Sequence, residues 1–136
     1  MATIVKEIAL DAPVAAVWDA VRDFGNLHKR LVPGFVVDCQ LDPGTADGLA
    51  RNVTFFNGMR AREHLVTCDD AARRLVYGAS GGRATHYNAA VTVVEDAPGR
   101  SRIVWTIDLL PDTLAGPIGA MAEHAAAAMQ RTLGGA

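Results

Sequence analysis

Apolar and polar residues alternate with a period of two through the middle of the chain. In residues 102–110, four apolar side chains share one face of the pattern: Ile103, Trp105, Ile107 and Leu109. This alternation is typical of β-strands that bury one face and expose the other. With the turn residues between the segments, it predicts seven strands, at residues 3–10, 34–41, 48–56, 59–67, 73–79, 84–95 and 102–110.

Residues 112–136 have apolar positions about 100° apart and predict one long helix. We expect Asp112 or Thr113 to cap it, because a side-chain oxygen there accepts hydrogen bonds from first-turn N–H groups. Pro117 is compatible with a helix only near its start, and Gly134-Gly135 is expected to end it. The expected buried face consists of Leu114, Ile118, Met121, Ala125, Met129 and Leu133.

Two shorter helical segments follow the first strand. Pro13 is expected at the first position of one helix, and residues 27–32 predict a second short helix before Pro33-Gly34. The predicted order is therefore one strand, two short helices, six antiparallel strands and one long helix. This order predicts an α+β fold in which the long helix covers one face of a twisted sheet.

The expected inner face of the long helix is slim, since it is mostly alanine with two methionines. A slim helix laid on a curved sheet need not fill the space between them, which favours an internal cavity. A tightly packed, alanine-rich helix without a void is the alternative.

Composition and charge narrow the classes of function. The 136 residues are expected to form one domain, residues 1–136, and the net charge of −2 gives no support for nucleic-acid binding. No apolar run reaches membrane-spanning length, and the N-terminus lacks the pattern of an export signal. We therefore expect a cytoplasmic protein, monomer or dimer, in which Cys39 and Cys68 form no disulfide.

Glu63 is the one acidic residue expected on an inner face of the sheet. Its neighbours on that face, Ala61 and Leu65, are apolar, while the intervening residues are basic. A carboxylate pointing into a cavity is either a polar handle for a ligand, an acid or base, or half of a structural ion pair.

The partner expected for Glu63 is Arg51. Asn57-Gly58 predicts a two-residue hairpin turn with Phe56 opposite Met59, and we expect Arg51 to face Arg62 or Glu63, within one residue of register. Pairing would allow both charges to be buried.

Aromatic and sulphur-containing side chains supply the rest of the expected cavity wall. Tyr77 and Tyr87, the only tyrosines, both fall on inner faces, where a phenol either donates to a ligand or packs in the core. The expected ligand-binding set is Arg51, Phe55, Glu63, Tyr77, Tyr87, Trp105, Met121 and Met129, with His28 near the entrance.

Motifs for metal binding and for serine nucleophiles are absent from the sequence. The four histidines show neither HxH nor HExxH spacing, so we expect no metal site and no cofactor. There is no GxSxG motif, and Ser80 and Ser101, the only serines, fall in predicted turns.

Four segments match the pattern of a known family: APVAAVWDAVRDF, Pro33-Gly34, EHLVTCDDAARRLVYGASGG, and RIVWTIDLLPD before the last helix. With them the chain resembles the START-like superfamily (SRPBCC), which includes Bet v 1 and bacterial polyketide cyclases and dehydratases. The resemblance implies a helix-grip fold, a sheet curled round the C-terminal helix with a hydrophobic cavity between them. Many bacterial members carry a Trp where this chain has Arg30-Leu31-Val32, so the cavity entrance is expected to differ.

The resemblance also implies a function, the binding of a small hydrophobic, aromatic or polyketide-like ligand in the cavity. Any catalysis is implied to be cyclase- or dehydratase-like, with Glu63, Tyr77 or Tyr87 moving a proton. The alternatives are a non-catalytic lipid or quinone carrier, and a protein-interaction module.

Overall fold

The structure is a computed structural model that describes residues 1–42 and 48–134. Its strands are β1 (Ala2–Leu10), β2 (Val36–Asp42), β3 (Ala50–Phe55), β4 (Arg60–Asp69), β5 (Arg74–Ser80), β6 (His86–Ala97) and β7 (Arg100–Leu110). Its α-helices are α1 (Val14–Arg22) and α2 (Ala115–Leu133), with short helical turns at Phe24–Asn26, Leu27–Leu31 and Asp112–Leu114. Asp42-Pro43-Gly44, the turn signal between the second and third predicted strands, lies largely outside the described residues, as does Gly135.

The described strands form one antiparallel sheet in the order β1-β7-β6-β5-β4-β3-β2. Strands β2 to β7 follow one another as neighbours, and β1 pairs with β7 at the other side. Alternate side chains of the strands lie on the face that α2 covers. Helix α2 packs along β1 and against the Leu27–Leu31 turn. The predicted α+β helix-grip fold is confirmed.

The start of α2 differs from the predicted one. Neither Asp112 nor Thr113 caps the helix, which begins at Ala115 after a 3₁₀ turn. The Asp112 carboxylate instead pairs with the N-terminal amine at 3.1 Å. Pro117 is therefore the third residue of α2, where an N–H group has no acceptor within the helix.

The other end of α2 is the predicted one. Gly134 has a φ of 102°, a left-handed conformation that favours glycine, and its N–H donates to the Gln130 carbonyl. The Gly134 carbonyl accepts a hydrogen bond of 2.7 Å from the Asp11 N–H. This bond ties the end of α2 to the end of β1.

The β3–β4 hairpin has three loop residues, where we expected two. Phe55 rather than Phe56 lies opposite Met59, and its N–H donates to the Met59 carbonyl at 2.8 Å. Gly58 has a positive φ of 84°, but Asn57 does not, and a type I′ turn needs positive φ at both central residues. The extra loop residue shifts the pairing of β3 with β4 by one position.

Helix α1 packs its apolar face on the sheet beside α2. Val14, Val17 and Val21 are buried, and the Trp18 indole N–H donates to Asp70 at 2.9 Å. Across the described residues, no helix combines the length and the apolar character that crossing a membrane requires.

Candidate functional site

A cavity of about 230 Å³ lies between the sheet and α2. Two small side chains of α2, Ala122 and Ala125, line it, and longer ones there would fill part of the gap. The alternative of an alanine-rich helix packed without a void is therefore wrong.

The structure brings almost all of the expected site residues to this one wall: Arg51, Phe55, Glu63, Tyr77, Tyr87, Trp105, Met121 and Met129. That these residues bind a ligand stays a prediction. The agreement in position arises because alternation along each strand decides which side chains face α2.

His28 is not brought to the wall, contrary to our expectation. The segment Leu27–Leu31 forms a π-helical turn, in which the Val32 N–H donates to the Leu27 carbonyl. Leu27 and Leu31 face the cavity, while His28 does not line it.

The exposed part of the lining is concentrated at one end, which we call the mouth. Three segments meet there: Met59–Ala61 after the β3–β4 hairpin, Ser80–Ala84 between β5 and β6, and Leu114–Ile118 at the start of α2. Lining residues farther from these segments, among them Leu75 and Val91, are buried. The mouth is therefore the exposed end of the cavity.

The strongest polar contact at the wall joins Arg51 and Glu63. The two residues lie directly opposite each other on β3 and β4, and Arg51 Nε and Nη2 each lie 2.7 Å from Glu63 Oε1. The other carboxylate oxygen, Oε2, accepts no hydrogen bond among the described residues. It is therefore available to a hydrogen-bond donor on a ligand.

Three further contacts fix the orientation of Arg51. Its Nη1 donates to the Phe24 carbonyl at 3.1 Å, and its guanidinium carbon lies 3.9 Å from the centroid of the Phe24 ring. The centroid of the Tyr77 ring lies 5.3 Å from the same carbon. A cation held near two aromatic rings and one carboxylate has little freedom to move.

A bulge in β4 lies close to Glu63 but does not reorient it. The pairing of β4 with β5 shifts between Leu65 and Thr67, and bulges reverse the facing of residues beyond them. Glu63 precedes the bulge and so keeps the inward direction that Ala61 and Leu65 indicate.

Tyr77 and Tyr87 place two phenols close together, with ring centroids 6.2 Å apart. Burial raises the pKa of Tyr77, and the nearby Glu63 carboxylate raises it further. Burial likewise raises the pKa of Tyr87 well above its ordinary value, and the Tyr77 phenol adds to the effect. Both phenols therefore stay protonated at neutral pH and act as hydrogen-bond donors.

Trp105 lines the same cavity from β7, an interior strand of the sheet. Its side chain is 7% exposed, and its indole Nε1 is buried without a hydrogen-bond partner among the described residues. The Trp105 indole N–H lies near enough to the Tyr77 hydroxyl to oppose the rise in the Tyr77 pKa, but the two do not form a hydrogen bond of ordinary geometry.

The pairing of the strands explains why these aromatic groups converge. Tyr77 on β5 lies opposite Ala89 of β6, and Trp105 on β7 lies opposite Val91, two residues further along β6. Since Ala89 has only a methyl group, the two larger side chains meet above it on the same face.

The sequence did not reveal several contributors to the site. The turn residues Leu31, Val32 and Phe35 line the cavity, and the Phe24 backbone holds Arg51. No periodic pattern marks them, because they lie in irregular turns between α1 and β2.

The two cysteines stand apart from the cavity wall. Both are free thiols; Cys39 is buried and Cys68 is half-buried. Burial raises the pKa of the Cys39 thiol, although the Arg51 charge opposes this. Within residues 1–42 and 48–134, no group of three or more His, Cys, Asp or Glu side chains is placed to hold a metal ion.

Residues 1–135 match the family model described as polyketide cyclase / dehydrase and lipid transport. The chain belongs to this family. No curated protein matches the chain. The resemblance to bacterial polyketide cyclases and dehydratases that the sequence suggested is confirmed.

Solved structures support the same fold for this member of the polyketide cyclase/dehydrase and lipid transport family. A Thermobifida fusca protein solved by NMR is 26% identical, with 100% of this chain and 98% of that one covered and a TM-score of 0.74. The protein XoxI from Bacillus cereus is 18% identical, with 98% and 96% covered and a TM-score of 0.84. A START superfamily protein from Mycobacterium smegmatis is 15% identical, with 96% of each chain covered and a TM-score of 0.77.

Proposed function

We propose that this protein binds one small, mostly apolar ligand, aromatic or polyketide-like, inside the cavity. The observation that carries the proposal is the cavity of about 230 Å³, with an apolar wall and a few converging polar groups. Pockets of this composition are typical of small-molecule sites, because apolar area supplies affinity and a few polar atoms set orientation. The family description, which names both polyketide chemistry and lipid transport, fits such a ligand.

The polar groups would orient the ligand. The Arg51–Glu63 pair offers the free Oε2 of Glu63 to a ligand hydroxyl, while the Tyr77 and Tyr87 phenols donate to a ligand oxygen. The methionines Met121 and Met129 give the α2 side an adaptable surface.

Binding without catalysis is the simpler form of the proposal. Glu63 Oε1 is occupied by Arg51, and the raised pKa values of Tyr77 and Tyr87 make both phenols weak acids at neutral pH. These groups therefore suit orientation better than proton transfer. A lipid or quinone carrier would also bind its ligand without catalysis. The cytoplasmic location expected from the sequence stays a prediction.

The binding proposal can be tested by calorimetric titration with fluorene, a flat apolar tricyclic compound. Replacing Ala125 by Phe fills the cavity and should abolish binding. Replacing Ala127 by Phe is the matched control, because Ala127 lies two residues away on α2 and is exposed. Equal affinity of the wild type and Ala125→Phe would place the ligand elsewhere and overturn the proposal.

A cyclase or dehydratase activity is the second candidate, favoured by the family description and by the free oxygen of Glu63. The probe is a phenyl-substituted β-hydroxy ketone, whose dehydration gives a conjugated enone that absorbs near-ultraviolet light. Catalysis through Glu63 predicts enone formation by the wild type and none by Glu63→Gln. Equal rates with and without wild-type protein would leave binding as the function.

A further inference from the structure

The cavity wall holds one buried donor that the fold leaves without an acceptor. Trp105 Nε1 is buried and makes no hydrogen bond among the described residues. A buried N–H without an acceptor costs roughly 1–3 kcal/mol, so buried donors in folded proteins are rarely left unpaired. An indole nitrogen can only donate, which means that whatever satisfies it must bring a lone pair.

Strand pairing on both sides fixes the position of Trp105. It lies in β7, between β1 and β6, opposite Lys6 and Val91 in an unbroken stretch of both ladders. Its neighbours on the same face of β7, Ile103 and Ile107, are almost completely buried. The donor is therefore held by an interior strand of the sheet and not by a loop.

The other tryptophan shows what a satisfied indole looks like in this fold. Trp18 is as buried as Trp105, at 6% exposure, yet its N–H donates to the Asp70 carboxylate at 2.9 Å. Trp18 does not line the cavity. The unpaired indole is thus the one at the cavity wall.

We infer that Trp105 is the specificity-determining donor of the cavity, and that its N–H binds a carbonyl or other acceptor oxygen carried by the buried part of the ligand. The inference rests on the proposed function, since it needs a ligand in the cavity. The Tyr77 and Tyr87 phenols lie beside the same position and supply further donors. A hydrocarbon of the same shape leaves the indole donor unsatisfied.

The test compares fluorene with fluorenone, which has nearly the same shape but carries a carbonyl oxygen. The chain contains two tryptophans, so the ¹H–¹⁵N spectrum should show two indole N–H signals, assigned with the Trp18→Phe variant. Fluorenone should shift the Trp105 signal downfield and leave that of Trp18 in place. It should also bind roughly fivefold more tightly than fluorene, the net effect of one hydrogen bond.

Three results would overturn the inference, and they can be told apart. Equal binding of the two compounds with the same indole shift would show that the cavity binds ligands without using Trp105. An upfield shift of the unliganded Trp105 signal in Tyr77→Phe would show that the Tyr77 hydroxyl already accepts from this N–H. Failure of both compounds to bind would remove the proposed function together with the inference.

A variant gives a second readout. Trp105→Phe keeps an aromatic ring but lacks the donor, so its preference for fluorenone over fluorene should fall about fivefold from that of the wild type. Trp18→Phe, outside the cavity, should keep the wild-type preference. Retention of the preference in Trp105→Phe would contradict the inference, and the wild-type spectra decide the case if that variant does not fold.

Discussion

The Glu63 carboxylate lies 2.7 Å from the Arg51 guanidinium, directly across the β3–β4 hairpin. The two side chains are 9% and 5% exposed, so each charge depends on the other for compensation. Removing one partner of such a pair leaves an uncompensated charge in surroundings of low dielectric constant, whereas removing both leaves none.

This relationship predicts strong coupling between the two positions. Glu63→Leu and Arg51→Met should each lower the free energy of unfolding by about 3–5 kcal/mol, and the double variant by clearly less than the sum. Urea unfolding of the four proteins measures the coupling. Glu7→Ala, which breaks the exposed Arg102–Glu7 pair, is the control and should cost about 1 kcal/mol or less. Additive losses at Arg51 and Glu63 would contradict the prediction.

The cavity predicts unequal tolerance at two alanines of α2. Ala125 lines the cavity, so a leucine there enters empty space and should change the free energy of unfolding by less than about 1 kcal/mol. Ala128 is fully buried away from the cavity, and Ala128→Leu should cost about 1–3 kcal/mol through overpacking. Thermal and urea unfolding compare the variants. A cost at Ala125 as large as that at Ala128 would mean that the space is filled.

The two buried tyrosines predict a loss of stability at high pH. Their pKa values are raised in the folded protein. Above pH 10.0, the ordinary pKa of a tyrosine, the unfolded state therefore releases phenol protons that the native state still holds. The stabilisation is therefore complete below about pH 10 and is lost as the pH rises from there towards the folded pKa. Phenolate absorbance should appear together with the loss of the circular dichroism signal. Phenolate formation near pH 10 with native circular dichroism would show that the phenols are exposed.

The cysteines predict two thiols of different reactivity. Cys39 of β2 pairs with Val53 of β3, which in turn pairs with Ala61 of β4. Cys68 lies seven residues beyond Ala61 on β4, or roughly 20 Å along the strand, which is far beyond the reach of a disulfide. A thiol reagent should modify half-buried Cys68 first, because burial and a raised pKa slow the reaction of Cys39. The denatured, non-reduced protein should show two thiols; a count of zero would indicate a disulfide.

Much of the cavity wall could be predicted from the sequence because it depends on period-two alternation. Tyr77 and Trp105 face α2 for that reason, and so does Glu63, since the bulge in β4 lies beyond it. Strand register is set by the hairpin instead: the observed three-residue loop puts Arg51 opposite Glu63, where a two-residue loop would have put it opposite His64.

The parts that could not be predicted depend on irregular backbone. The Phe24 carbonyl reaches Arg51 from a 3₁₀ turn, and His28 turns away from the cavity in a π-helical turn. The start of α2 was missed for a related reason. A 3₁₀ turn precedes Ala115, and neither Asp112 nor Thr113 lies at the position from which a side chain caps the helix.

Native mass spectrometry of the freshly purified protein, before and after addition of fluorene, tests the central claim that the cavity binds a small apolar molecule. We expect the wild type and Ala127→Phe each to show a complex with one small molecule, either co-purified or formed with fluorene. The cavity-filled Ala125→Phe should show the mass of the bare chain alone. A wild-type protein that shows only the bare mass under both conditions, or a complex that persists in Ala125→Phe, would contradict the account.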